Sequence, residues 1–193
     1  MFRWIILAVL IAALSISKSY RRRAQLATGT IPRSREGGAA MAARGLIALP
    51  LFFSIFAYVI DPNWMAWSAF ALPLWLRWTC AATAALTVPG TWWVFRNIGS
   101  NVSETVLTKD NHELVTTGPY RWVRHPLYTV SLIMIVSIGI MAANWFILAL
   151  SGVAVVLIRS LVIPREESEL LAKFGDDYKK YQERTGRIVP RLG

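Results

Sequence analysis

The residues best equipped for chemistry lie between His112 and Tyr128. The stretch reads His112-Glu113-Leu114-Val115-Thr116-Thr117-Gly118-Pro119-Tyr120, then Arg121-Trp122-Val123-Arg124-His125-Pro126-Leu127-Tyr128. In its last five positions a fixed cation, a titratable imidazole, a helix-starting proline and a phenol follow one another. Arg124 offers a planar, two-pronged donor set suited to holding an anion. His125 can take or give a proton near neutral pH. A second polar group, Arg165-Glu166-Glu167, follows Pro164 about forty residues on, beyond an apolar run from Leu127 to Ile163. The two histidines, His112 and His125, have no carboxylate ligand set at metal-binding spacing, so no metal is expected. The one cysteine, Cys80, sits in an apolar run and is read as a small buried hydrophobe.

These groups need elements to hold them, and composition says which kind. The chain has 193 residues, 55% of them hydrophobic and 17% charged, with nine tryptophans. That balance predicts an all-α, polytopic membrane protein. The net charge of +10 could suggest a nucleic-acid partner. The basic residues lie beside apolar runs, however, which favours an anionic membrane leaflet and excludes nucleic acid.

Five apolar segments have roughly the length a bilayer demands: residues 1–17, 41–60, 70–95, 127–143 and 144–163. The last two form one run, best broken at Ala142-Ala143-Asn144-Trp145 into a helical hairpin. The first segment has Arg3 before it and Lys18, Arg21, Arg22 and Arg23 after it, the reverse of a signal peptide's polarity, so it reads as a retained anchor. Basic loops alternate with non-basic ones along the chain, and Asp61–Ala69 and the tip near Asn144 hold no Lys or Arg. Five crossings with the N-terminus outside satisfy this alternation, and they put 112–128, Glu166-Glu167 and the tail on the cytoplasmic side. Trp4, Trp64, Trp67, Trp92, Trp93, Trp122 and Trp145 fall near segment ends, as interface anchors do. Asn101-Val102-Ser103 matches a glycosylation acceptor but falls on the cytoplasmic side of this topology and is discounted.

From Arg165 to Arg184 the tail reads as a helix with Leu170, Leu171, Phe174, Tyr178 and Tyr181 on one stripe, and Gly175 is a soft spot costing roughly 1 kcal/mol against alanine. Two readings stand. The helix rests on headgroups, or it covers a pocket as a lid with Glu166 and Glu167 at its base and Arg184 and Arg187 beyond its far end. The glutamates equally suit a helix N-terminus as a solvated acidic cluster. His125 before Pro126 has a bland role too, fixing a helix entrance. Arg77 either snorkels or faces the bundle interior. Arg159, seven residues before Glu166, would share its face after about two helical turns.

In these residues the chain resembles the isoprenylcysteine carboxyl methyltransferases, short prokaryotic members included, and their phospholipid-methyltransferase relatives. The matching pieces are His112-Glu113-Leu114-Val115, Gly118-Pro119-Tyr120, Arg124-His125-Pro126 with Tyr128, and Glu166-Glu167 followed by Leu170, Phe174-Gly175, Tyr178 and Tyr181. Thr185-Gly186-Arg187 with Pro190 completes them. The resemblance implies a single integral-membrane methyltransferase domain over 1–193, with S-adenosyl-L-methionine bound in region 112–190 under the C-terminal amphipathic helix. His112, Leu114, Val115, Gly118, Tyr120, His125, Pro126 and Tyr128 would form one wall of the cofactor pocket. Glu166 and Glu167 would meet the cofactor's amino or hydroxyl groups, and Arg124 would lie nearest the reacting centre. Two positions depart from the pattern. Val130 stands where members often carry a small residue. Val162 stands where some relatives place an arginine, a role Arg159 is expected to take, so Arg124, Arg159 and Glu167 are the expected catalytic set.

The implied reaction is carboxyl O-methylation of an isoprenylcysteine-like or other lipophilic acceptor entering from the bilayer. An ionised carboxylate needs alignment and a cation to orient it, not a general base. Methylation of a phospholipid or other small-lipid amine is the runner-up, and it would need a proton acceptor such as His125. Membrane steroid and enone reductases that use NADPH share an Arg-His-Pro-x-Tyr signature, but they fit the Glu166-Glu167 tail less well. A lipid-binding scaffold would leave the clustered polar groups unexplained.

Overall fold

In a bilayer every backbone polar group needs a partner within the chain, so apolar runs of this length fold as helices. The structure, a computed structural model, describes residues 1–28, 38–99 and 114–191. Its helices are α1 (Phe2–Thr28), α2 (Gly38–Ile60), α3 (Leu74–Ile98), α4 (Pro126–Ala142), α5 (Trp145–Leu157) and α6 (Ile163–Arg184). Short 3₁₀ turns span Pro62–Ser68 and Gly118–Arg121. The described residues contain no β-strand, only isolated bridges between Ala69 and Asn144 and between Val123 and Gly186. Expectations on His112 and on Asn101-Val102-Ser103 lie outside the described residues.

α3 packs chiefly against α4 and α1, and α4 against α5. The core joins Ile6 and Val9 of α1, Ile55 and Val59 of α2, Ala81 and Ala84 of α3, Ile138 and Met141 of α4, and Ile147 of α5. Outside it, Leu46, Leu49, Phe52, Phe53, Trp75, Leu86, Val156 and Leu161 are exposed, more apolar surface than a water-soluble monomer tolerates. Among the described residues two helical stretches can cross a membrane by length and composition, Phe2–Leu26 and the continuous Trp145–Arg184, and Ala48–Ile60 and Pro126–Ala142 are shorter apolar helices.

Three features differ from the sequence expectation. α1 does not stop at Ser17 but runs to Thr28. Lysine and arginine are good helix formers, and the extension finds a surface: Tyr20 stacks on Phe95 at 5.7 Å over a buried Ala24. Second, Pro164 does not separate the last apolar segment from the tail. Ile158–Val162 forms a π-helical turn leading straight into α6, which accommodates the proline's missing donor within one rod. Third, Gly175 is a break and not merely a soft spot, with φ 53° and ψ −125°.

The α4–α5 hairpin turns where expected. Ala143 adopts a left-handed conformation (φ 52°), and Asn144 caps α5 by accepting from the Ile147 N–H at 3.0 Å. Its amide also donates to the Met65 carbonyl (3.1 Å) and the Ser68 hydroxyl (2.7 Å), tying the hairpin to the 3₁₀ turn after α2. Arg77 closes the same end, donating from Nε to the Met141 carbonyl (2.9 Å) with its guanidinium 4.2 Å over the Phe2 ring. It therefore serves the bundle by capping the last turn of α4, where a cation suits the helix dipole. Asn144→Ala removes a cap and strands two buried partners, so thermal unfolding in detergent should show a loss of about 2–3 kcal/mol. A loss below about 0.5 kcal/mol would mean that the tip is held by packing alone.

Candidate functional site

Pro126 fixes the entrance to α4, since a proline is preorganised for the first helical position, and it holds His125 outside the helix at φ −122°, ψ 59°. Upstream, Leu114 and Val115 are partly buried, Gly118 opens the 3₁₀ turn against the Asn97 side chain, and Pro119 and Tyr120 are buried. One turn into α4, the Tyr128 ring lies 5.8 Å from that of His125. Val130 sits over Gly90 of α3, so the bulk at this departure is taken up by a residue with no side chain.

The other half of the site arrives by a reversal. Without the Gly175 break, α6 would carry Arg184 roughly 25 Å from Glu167. With it, the chain folds back, and Arg187 Nε lies 3.0 Å from Glu167 Oε2. Arg187 is thus part of the cluster and not beyond a lid's far end, a correction that follows from the positive φ of Gly175. The returning segment docks by backbone: Gly186 N–H donates to Trp122 O (3.2 Å), Arg124 N–H to Gly186 O (2.8 Å) and His125 N–H to Arg187 O (2.9 Å). Side chains add to this, with Thr129 Oγ1 donating to Ile188 O (2.8 Å) and Tyr181 OH to Tyr120 O (2.6 Å).

At the centre is Glu167, whose side chain is 6% exposed. Oε1 accepts from Arg124 Nε at 2.8 Å and stands 3.4 Å from His125 Nε2. Oε2 takes Arg187. Burial pushes the Glu167 carboxyl upward, but His125 and Arg124 outweigh it and hold the group at about 2. Arg124 is fastened further, from Nη1 to the carbonyls of Gln182 (3.1 Å) and Thr185. His125 is buried, with Nδ1 3.6 Å from Glu166 Oε2, and Glu166 retains 29% side-chain exposure. Both glutamates therefore bracket one imidazole, with Glu167 buried between two arginines and Glu166 the more exposed of the two.

Of the residues singled out in the sequence, the structure gathers Arg124, His125, Glu166 and Glu167 directly, and Tyr120, Pro126 and Tyr128 around them. Arg159 does not join them: it is exposed on the π-helical turn and, among the described residues, pairs with neither glutamate. The places of Arg187, Thr185 and Gln182 were missed. A glycine inside the tail helix was the available signal for a reversal, but not for its direction. No group of three or more His, Cys, Asp or Glu side chains that could hold a metal ion occurs among the described residues.

The chain has relatives among known proteins. The model of the isoprenylcysteine carboxyl methyltransferase (ICMT) family matches residues 81–172. The nickel-cobalt-cadmium resistance protein NccN of Alcaligenes xylosoxydans xylosoxydans is 40% identical over 80 residues, 42% of this chain and 37% of that protein. The protein-S-isoprenylcysteine O-methyltransferase of Tribolium castaneum is 32% identical over 109 residues, 48% of this chain and 34% of that protein. The chain thus covers well under half the length of these curated relatives. A solved structure of the eukaryotic intramembrane Ras methyltransferase ICMT aligns with 96% of this chain and 67% of its own, at a TM-score of 0.56 and 20% identity, a likeness of fold.

Proposed function

We propose that the chain, whose residues 81–172 match the isoprenylcysteine carboxyl methyltransferase family, is an integral-membrane methyltransferase of that family using S-adenosyl-L-methionine on a lipophilic carboxylate. The observation that carries this reading is the cluster of Arg124, His125 and Glu167, all largely buried, with the partly exposed Glu166, where the entrance to α4 meets the first turn of α6. Five crossings by α1 to α5, the N-terminus outside and the cluster at the cytoplasmic surface fit the loop charges.

The residues suit the donor. Glu166, partly open beside His125, offers an anionic oxygen to an ammonium or ribose hydroxyl. Leu114, Val115, Gly118, Tyr120, Pro126 and Tyr128, with His112, would supply the wall around it. When bound, S-adenosyl-L-methionine supplies an electrophilic sulfonium methyl. The protein's task is then alignment of donor and acceptor. Glu167 holds Arg124 in place through Nε, and Arg124 Nη2, which has no partner among the described residues, would orient the acceptor carboxylate. That carboxylate is ionised at neutral pH, so no base is required of His125. Arg159, lying away from the cluster, would meet lipid headgroups instead.

Calorimetry in detergent should show S-adenosylhomocysteine binding and no NADPH binding, and the reverse would assign the site to reductase chemistry. With methyl-labelled donor and membranes, the label should be released by base. A base-stable product would move the acceptor to an amine.

A further inference from the structure

Tyr178 is the polar group the proposed chemistry leaves unused. It is 1% exposed, and its hydroxyl is buried with no hydrogen-bond partner among the described residues. Its neighbour Tyr181, almost one turn further along the same helix, shows what a satisfied phenol looks like here, donating to Tyr120 O at 2.6 Å. The rings are 6.0 Å apart, so both belong to the face of α6 that folds back after Gly175. A phenylalanine would fill the same volume without the roughly 1–3 kcal/mol that a stranded buried polar group costs. Packing therefore accounts for the ring of Tyr178 and not for its oxygen.

The surroundings indicate what that oxygen meets. Burial, then the nearby Glu167 charge, pushes the phenol well above its ordinary range, with Arg124 opposing, so it stays a neutral donor at any physiological pH. Glu166 is an acceptor with 29% of its side chain exposed and suits the cationic or hydroxyl groups of a ligand, whereas Glu167 is taken up by Arg124 and Arg187. A ligand that also carries an acceptor oxygen would find its donor in Tyr178.

We propose that Tyr178 is a cofactor-binding residue whose hydroxyl donates to an oxygen of the methyl donor, on its carboxylate or its ribose. This rests on the methyl-donor reading above. The assignment predicts opposite signs in two measurements on Tyr178→Phe. Without ligand, the variant should unfold at the same temperature as the wild type or higher, because an unsatisfied group is gone. Its affinity for S-adenosylhomocysteine, measured by calorimetry, should fall about five- to tenfold. Unchanged affinity in the variant, with the wild type binding normally, overturns the assignment. So does a lower ligand-free unfolding temperature, which would mean that the hydroxyl serves the fold. A wild type that does not bind S-adenosylhomocysteine overturns the methyl-donor reading itself, and this inference with it.

Discussion

Glu167→Gln is expected to destabilise the protein by about 3 kcal/mol, because it leaves the Arg124 guanidinium buried beside a neutral amide. The Arg124 side chain is only 8% exposed, so water cannot replace the lost carboxylate. Glutamine keeps the shape but retains one acceptor, where Arg124 and Arg187 now take two. Arg187 is 49% exposed, and its share should be small, about 0–1 kcal/mol. The loss should depend on pH in a definite sense. The folded carboxyl titrates at about 2 against an ordinary 4.5, because His125 and Arg124 together outweigh the effect of burial. A depressed folded pKa means that the stabilisation is fully present above about 4.5 and is lost as pH falls toward 2. Unfolding temperatures of wild type and variant should therefore differ most at neutral pH and converge across that acid window. A constant gap between pH 6 and pH 3 would show that the carboxylate charge is not what holds the cluster.

How much of this was legible in the sequence depended on whether a feature was local. The α4–α5 turn was, since Asn144 interrupts an apolar run and can cap the following helix with its own side chain. So was the start of α4, because a proline sets its own φ whatever surrounds it. The residue types of the cluster were visible, but the pairing of Arg124 with Glu167 spans 43 positions and depends on how two helices rotate. Arg159 shows the failure most directly. Its spacing from Glu166 assumed an uninterrupted α-helix, and the π-helical turn at Ile158–Val162 inserts an extra residue, rotating α6 by about 100° relative to α5. Helix propensity assigns Gly175 only a scalar cost. Its positive φ is a direction, chosen by the contacts that the returning segment makes with residues 120–129.

Gly186→Ala should detach that returning segment while leaving the bundle folded. A Cβ at position 186 would fall 1.8 Å from the Val189 carbonyl oxygen and 2.9 Å from its carbon, both backbone atoms of the same turn. No side-chain rotation relieves such an overlap, so the turn from 186 to 189 must open. Its carbonyls are the anchors: Gly186 O holds Arg124 N–H, Arg187 O holds His125 N–H, and Ile188 O holds the Thr129 hydroxyl. Losing three such bonds amounts to about 3 kcal/mol of local opening, at roughly 1 kcal/mol each. Affinity for S-adenosylhomocysteine should then fall about a hundredfold, and trypsin should cut at Arg184 and Arg187 much faster than in the wild type. The helical circular dichroism should stay, because the core around Ile138, Met141 and Ile147 is untouched. Gly152→Ala is the matched control: nothing lies within 4 Å of its added Cβ, and in mid-helix the change should be neutral or stabilise by up to about 1 kcal/mol. If the two variants bind and resist proteolysis alike, the tail does not close the site, and the cluster must be held by the Glu167 ion pairs alone.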